Sequence, residues 1–237
     1  MAVLKTITIR SAGLTLNKSK CKFRMKKLTF MGHTLSSDGI SPSDDKISAV
    51  KFAREPKSAS EVRSFLGLVQ FTARFIPNLA TVSEPLRKLT RKNEIFKWEA
   101  DQAKAFKELQ NSLTKAETLA YFDKMAETQI ITDAGPVGLG AILVQIQEGQ
   151  KRVISYASRS LSEVERRYSQ TEKEALGIVW ACERFHLYLY GIKFLLLTNH
   201  WNIFIQRGQN LPPGWKGGFY GYNRMTSQLN IFVELTT

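Results

Sequence analysis

Between residues 128 and 198 the sequence sets out three short runs of strand character, one capped amphipathic helix and a fourth apolar run, and few folds accept that order. TQIITD, GLGAILVQI and RVISYAS follow one another closely, which predicts antiparallel neighbours. Gly138 and Gly140 are expected in the first turn, and Glu148 with Gly149 in the second. Ser169-Gln170-Thr171-Glu172 is a capping box, and behind it Ala175, Ile178, Val179, Cys182 and Phe185 fall on one helical face. KFLLLT follows Gly191. The order β-β-β-α-β predicts an α/β (α+β overall) architecture, a mixed sheet with a helix packed on it.

Upstream the hydrophobic period is different. Residues 58–115 read as helices: the capping box Ser58-Ala59-Ser60-Glu61 precedes Val62, Phe65, Leu66, Val69 and Ala73 at helical spacing. Pro77 and Pro85 then cut the pattern into short pieces. A second amphipathic helix is expected over 100–113, with Ala103, Phe106, Leu109 and Leu113 on its apolar stripe. The first 55 residues read as extended pieces, TITIR, KCKFRM and LTFMGHTL, with turns at SSDG and SPSDD. Asp44-Asp45 are expected in a solvated loop. There is no internal repeat.

Charge narrows the partners. The chain has 34 Lys and Arg against 21 Asp and Glu, a net charge of +13. Before Ala116 lie 22 basic and 10 acidic residues; the remainder holds 12 and 11. The basic excess therefore belongs to the first half, where KSKCKFRMKK places six cations in ten positions. Lone cations usually only solvate a surface, whereas this density suits a polyanion whose phosphates release counterions, so nucleic acid is the expected partner. No apolar run approaches the ~20 residues of a membrane span. Lys5 interrupts the apolar N-terminus, and two cysteines give no disulfide framework, so an intracellular, cytoplasmic or nuclear, non-secreted protein is expected. No small-molecule cofactor motif is evident: GPVGLG joins two strands and opens no helix, which predicts a hairpin and not a phosphate loop.

Two acids stand in awkward surroundings. Glu174 falls on the apolar stripe of the capped helix, and Asp133 ends an apolar strand. Shielding a carboxylate costs several kcal/mol unless donors or a cation satisfy it. Each has an ordinary explanation on its own, a helix N-terminus for Glu174 and a turn-starting Asp for Asp133.

Six ordered blocks, AGLTLNKSKC, FMGHTLSSDGISP, EVRSFLGLVQFTARFIPNL, ITDAGPVGLGAIL, ISYASRSLSEVERRYSQTEKEAL and FHLYLYGIKF, resemble the reverse transcriptase–RNase H segment of gypsy-type LTR retrotransposons. The resemblance runs to about His200. It implies a palm edge over 1–55, thumb or connection helices over 56–117 and an RNase H-like domain over 118–237. Phe30, Met31, Gly32 and His33 then correspond to a primer grip. Gly67 and Phe71 correspond to a thumb helix that tracks an RNA–DNA hybrid or other duplex without reading its sequence. The family's nuclease site uses four acids to hold two Mg²⁺ (or Mn²⁺) ions, and Asp133 and Glu174 match the first two.

At the third position the family has Asp and this sequence has Asn199, which offers an oxygen without charge. The fourth acid has no counterpart, since Glu234 is the only acid beyond residue 183. The site is therefore expected to be degenerate and its metal binding weak. No Tyr-x-Asp-Asp motif occurs among the 237 residues, so DNA synthesis by this chain alone is not expected. His33, His186, His200, Cys21 and Cys182 show no zinc spacing.

Overall fold

The computed structural model describes residues 22–198 and the strand Asn230–Leu235. It begins with a three-stranded antiparallel sheet of β1 (Lys27–Phe30), β2 (His33–Ser36) and β3 (Gly39–Pro42). LTFMGHTL is thus a hairpin and not one extended piece. The chain reverses at Met31 and Gly32, whose φ values of 47° and 72° match the right-handed twist of the strands on either side. Leu28 faces Leu35 across the ladder.

Helix α1 (Asp44–Lys51) stands where a loop was expected. Ser43 precedes it in extended conformation, and Asp44 and Asp45 sit exposed in its first turn, where the helix dipole favours anions. With Val50 its one fully buried residue, α1 carries too short an apolar stripe to show in the sequence.

Helix α2 (Ala59–Phe71) starts at the expected cap: Ser58 Oγ accepts from Glu61 N at 3.3 Å. Glu61 reaches back one residue further than a capping box requires, accepting from Lys57 N at 3.0 Å. A single 3₁₀ turn (Ala73–Phe75), α3 (Leu79–Val82) and α4 (Glu84–Lys88) follow, with Pro85 in the first turn of α4, where its missing N–H costs nothing. Helix α5 (Ala100–Thr114) buries Ala105, Phe106, Leu109 and Leu113, while Ala103 is only half-buried. These helices share one core, in which Val62, Phe65, Ile76, Leu86 and Phe106 meet.

Strands β4 (Glu127–Ala134), β5 (Gly138–Gln147) and β6 (Gln150–Ser160) form an antiparallel meander. Helix α6 (Gln170–Arg184) and the single turn α7 (His186–Leu189) lead to β7 (Lys193–Thr198), parallel to β4. Strand β8 (Asn230–Leu235) adds on parallel to β7, and the order is β6-β5-β4-β7-β8. The sheet is mixed and carries a packed helix, as the element order predicts. Glu148 and Gly149 make the β5–β6 turn with φ of 53° and 73°.

Gly138 and Gly140, expected in a turn, are strand residues of β5. Their reason lies far away in sequence: a Cβ on Gly140 would collide with Asn78 Oδ1, and one on Gly138 would press within 3.1 Å of Ala80 Cβ. The glycines let α3 settle onto the sheet, and Ala80 N donates to Ser158 Oγ at 2.9 Å across the same contact. The buried stripe of α6 is also displaced from expectation. Glu174, Gly177, Ile178, Ala181 and Cys182 are buried, while Ala175 and Val179 are half-buried, because Gly177 seats the helix over Ala134 and Leu139. No described helix is long and apolar enough to cross a bilayer.

The loop into α6 is held by charge. Arg159 grips Glu165 through two nitrogens at 2.8 and 3.0 Å, and Ser162 N donates to the same carboxylate. The bond from Arg159 outweighs partial burial and holds the Glu165 carboxyl at about 2, against its usual 4.5. A depressed carboxyl stabilises the fold above its unfolded pKa, and that contribution disappears as pH falls from 4.5 towards 2. Urea unfolding across this window is expected to show a shallower loss of stability for Arg159→Met than for the parent; equal slopes would assign the acid sensitivity elsewhere.

Candidate functional site

Two surfaces gather the residues singled out in the sequence. The first is the end of the mixed sheet, where β4 and β7 finish together: Thr132 is the register partner of Thr198. Asp133 comes next on β4, opposite Gly140 of β5. Contrary to the expectation of a shielded acid, Asp133 is exposed. Strand alternation turns Thr128, Ile130, Thr132 and Ala134 inward, which sends Asp133 the other way.

Glu174 is buried, with 3% of its surface accessible. It lies in the second turn of α6, and Gln170, one turn earlier, ties it to the strand. Gln170 Nε2 donates to Ala134 O at 2.7 Å and to Glu174 Oε1 at 2.8 Å, so one amide fixes the carboxylate beside the residue that follows Asp133. Gln170 belongs to the capping box, and its role as a clamp could not be read from that motif. Asn199 and His200 lie outside the described residues.

The donor set can be tested against two divalent ions. Among the described residues no three of His, Cys, Asp or Glu come together in a metal-holding group. Asp133 and Glu174 are oxygen donors of the right kind for a hard cation, but two carboxylates fall short of the charge that a pair of ions requires. The described residues by themselves therefore do not make up a two-ion site.

The second surface joins the β1–β2 hairpin to the end of α2. Phe30 and Met31 project at the tip, 60% and 74% exposed, and Phe71 closes α2 at 45%. His33 stacks on Phe71 with ring centroids 5.5 Å apart and 16° between planes. Gly32 is required here, since a Cβ would meet the Phe71 ring at 2.7 Å. An added Cβ at Gly67 would touch nothing within 4 Å, so this stretch of α2 is bare.

Lys46 was not anticipated: from α1 its Nζ stands 4.7 Å over the Phe71 ring. Only recognition of α1 could have placed it there. Burial, and then the charge of Arg74, lower the His33 pKa below 6.5, leaving the ring neutral at physiological pH. His186 sits apart, its ring 5.5 Å from Tyr190.

Residues 98–196 match the family profile of the RNase H-like domain found in reverse transcriptase. This stretch is a reverse transcriptase RNase H-like domain. Its relatives are the Pol polyproteins of gypsy-type LTR retrotransposons. The chain is 36% identical over 191 residues to the retrovirus-related Pol polyprotein from transposon 412 of Drosophila melanogaster, covering 81% of this chain. It is 31% identical over 198 residues to the transposon Tf2-3 polyprotein of Schizosaccharomyces pombe. In both cases it spans about 15% of the polyprotein's length.

Among solved structures, the foamy viral protease-reverse transcriptase dRH in complex with double-stranded DNA superposes with a TM-score of 0.74 at 19% identity, over 89% of this chain and 38% of that one. The foamy viral protease-reverse transcriptase in complex with an RNA/DNA hybrid gives 0.71 at 18%, over 90% and 29%. These likenesses establish a shared fold.

Proposed function

We propose that the chain is the duplex-gripping and RNase H-like part of a retrotransposon reverse transcriptase, in which nucleic acid is held by backbone and shape and hydrolysis is weak or lost. In this reading residues 1–55 are the edge of the palm, 56–117 the thumb or connection, and 118–237 the RNase H-like domain. The protein works inside the cell, in cytoplasm or nucleus.

The observation that carries the proposal is the joint surface of Phe30, Met31, Phe71 and Lys46, exposed apolar groups with a cation beside the bare Gly67 stretch of α2. Exposed aromatic and methionine side chains next to an open glycine suit a groove wall, and flanking cations suit phosphates. The foamy viral relatives solved with DNA and with hybrid support the same partner class.

At the first surface, the end of the mixed sheet, Asp133 and Glu174 would hold a Mg²⁺ or Mn²⁺ ion, which supplies Lewis acidity to a phosphodiester when bound. Gln170 would hold Glu174 in place at the sheet end, and exposed Asp133 would present its carboxylate from the strand. Asn199 contributes no charge, so affinity for the metal is low.

The test is cleavage of an RNA–DNA hybrid in Mg²⁺ or Mn²⁺ alongside binding of the same hybrid. Tight, salt-sensitive binding with turnover near background is expected. Robust turnover abolished by Asp133→Asn would overturn the degenerate-site reading and make the chain a working ribonuclease H.

A further inference from the structure

The duplex-facing helix and the helix that bears Glu174 belong to different layers, and a line of polar contacts, with one covalent step from Ser83 to Glu84, runs from the first to the loop that precedes the second. It starts at Gln70, next to Phe71 on α2, whose Oε1 accepts from Arg87 Nη2 at 3.2 Å. Arg87 Nε donates to Ser83 Oγ at 2.9 Å, immediately before α4. The next residue, Glu84, is 5% exposed, and its Oε1 accepts from Arg91 Nη2 and from Arg166 Nη2, both at 2.8 Å. Arg91 belongs to the helical layer, whereas Arg166 lies in the 3₁₀ turn (Glu165–Arg167) of the loop that opens α6. Arg166 also donates to Leu161 O at 3.3 Å, which fastens it to the end of β6.

Burying a carboxylate this deeply is worthwhile only when its cations are fixed, and a fixed buried pair is a better source of geometric register than of net stability. We infer that Glu84 is a positioning residue: through Arg166 it locks the loop that starts α6 onto the helical layer, and so, beside the seat of α3 on the sheet, narrows the range of distances between the Phe71 face of α2 and the Glu174 carboxylate. The proposal depends on the duplex-binding reading only for its purpose, since two surfaces held at fixed spacing engage one duplex as a single bivalent ligand. Arg91 shares the carboxylate but does not cross between layers, which makes it an internal control.

The spacing can be measured without nucleic acid, so its failure is separable from failure of duplex binding. Spin labels go on Ser64→Cys of α2 and Arg184→Cys at the end of α6, in a Cys21→Ser background. Cys182 can remain, because burial pushes its thiol up to about 12 and keeps it unreactive. The expected result is one narrow distance distribution for the parent, for Arg91→Met and for Arg166→Lys, which retains the charge. In Arg166→Met the distribution should at least double in width, since relative motion of neighbouring units is the default once their contact weakens.

Unchanged width in Arg166→Met would overturn the proposal, as would equal broadening in Arg91→Met, which would make Glu84 a local stabiliser. Glu84→Gln offers a second reading of the same lock from the other side and should broaden the distribution as Arg166→Met does. If Arg166→Met fails to fold by far-UV circular dichroism, Glu84→Gln decides on the same criterion.

Discussion

Duplex binding is expected to weaken by about 500-fold when salt rises from 50 to 200 mM, if about five phosphates are neutralised. The cations available for this surround the hairpin and α2. Lys46 is poised over Phe71, and Lys57 and Arg63 are exposed at the start of α2 and on its first turns. Because each phosphate contact contributes about one to the slope of log affinity against log salt, Lys46→Gln and Arg63→Gln should each lower that slope by about one. Phe71→Ala should behave differently. Covering its exposed half is worth about 1–1.5 kcal/mol, so affinity falls about tenfold while the slope stays where it was. Titrations by fluorescence anisotropy at four salt concentrations separate the two classes. A flat salt response would remove nucleic acid as the partner and return the basic half of the chain to an ordinary solvated surface.

That surface shows which parts of the molecule were legible in sequence. Ser58 and Ser169 announce their helices, because a cap is a local hydrogen bond between residues three apart. Alternation in β4 and the burial of Glu174 are equally local, following from periods of two and 3.6. What the sequence hides depends on partners far along the chain. Gly138 and Gly140 looked like turn residues because glycine in a hairpin is common, whereas their need arises from Asn78 and Ala80, about sixty residues away. Glu84 and Arg166 are 82 apart. Asp133 was placed on the right strand end but given the wrong environment: the apolar neighbours that suggested shielding face the opposite side of the sheet. Helix α1 escaped notice because its opening residues, Ser43, Asp44 and Asp45, suit a turn as well as a helix N-terminus.

Gly39→Ala is expected to cost about 3 kcal/mol of unfolding free energy, an unusually large loss for adding one methyl group. Two causes act together. Gly39 has φ of 135°, a conformation L side chains rarely adopt, and a Cβ there would drive into Leu119 O. Leu119 cannot retreat. It is fully buried, and it exchanges backbone bonds with Ile40 at 2.7 and 2.8 Å, a bridge that ties β3 to the segment leading into β4. Tyr121 OH to Ser36 O at 3.0 Å and Arg152 Nη2 to Asp38 O at 3.2 Å reinforce the same seam. The control is Gly149→Ala, at φ of 73° with nothing within 4 Å of the new carbon, where only the backbone preference is lost and about 1 kcal/mol is expected. Urea denaturation of both variants measures the difference. Equal losses would mean that the Leu119 carbonyl yields, and the hairpin would then be only loosely registered against the mixed sheet. A large gap would mean that the hairpin carrying Phe30 and Met31 is fixed to the same framework as Asp133, the rigid spacing that the proposed grip on a duplex requires.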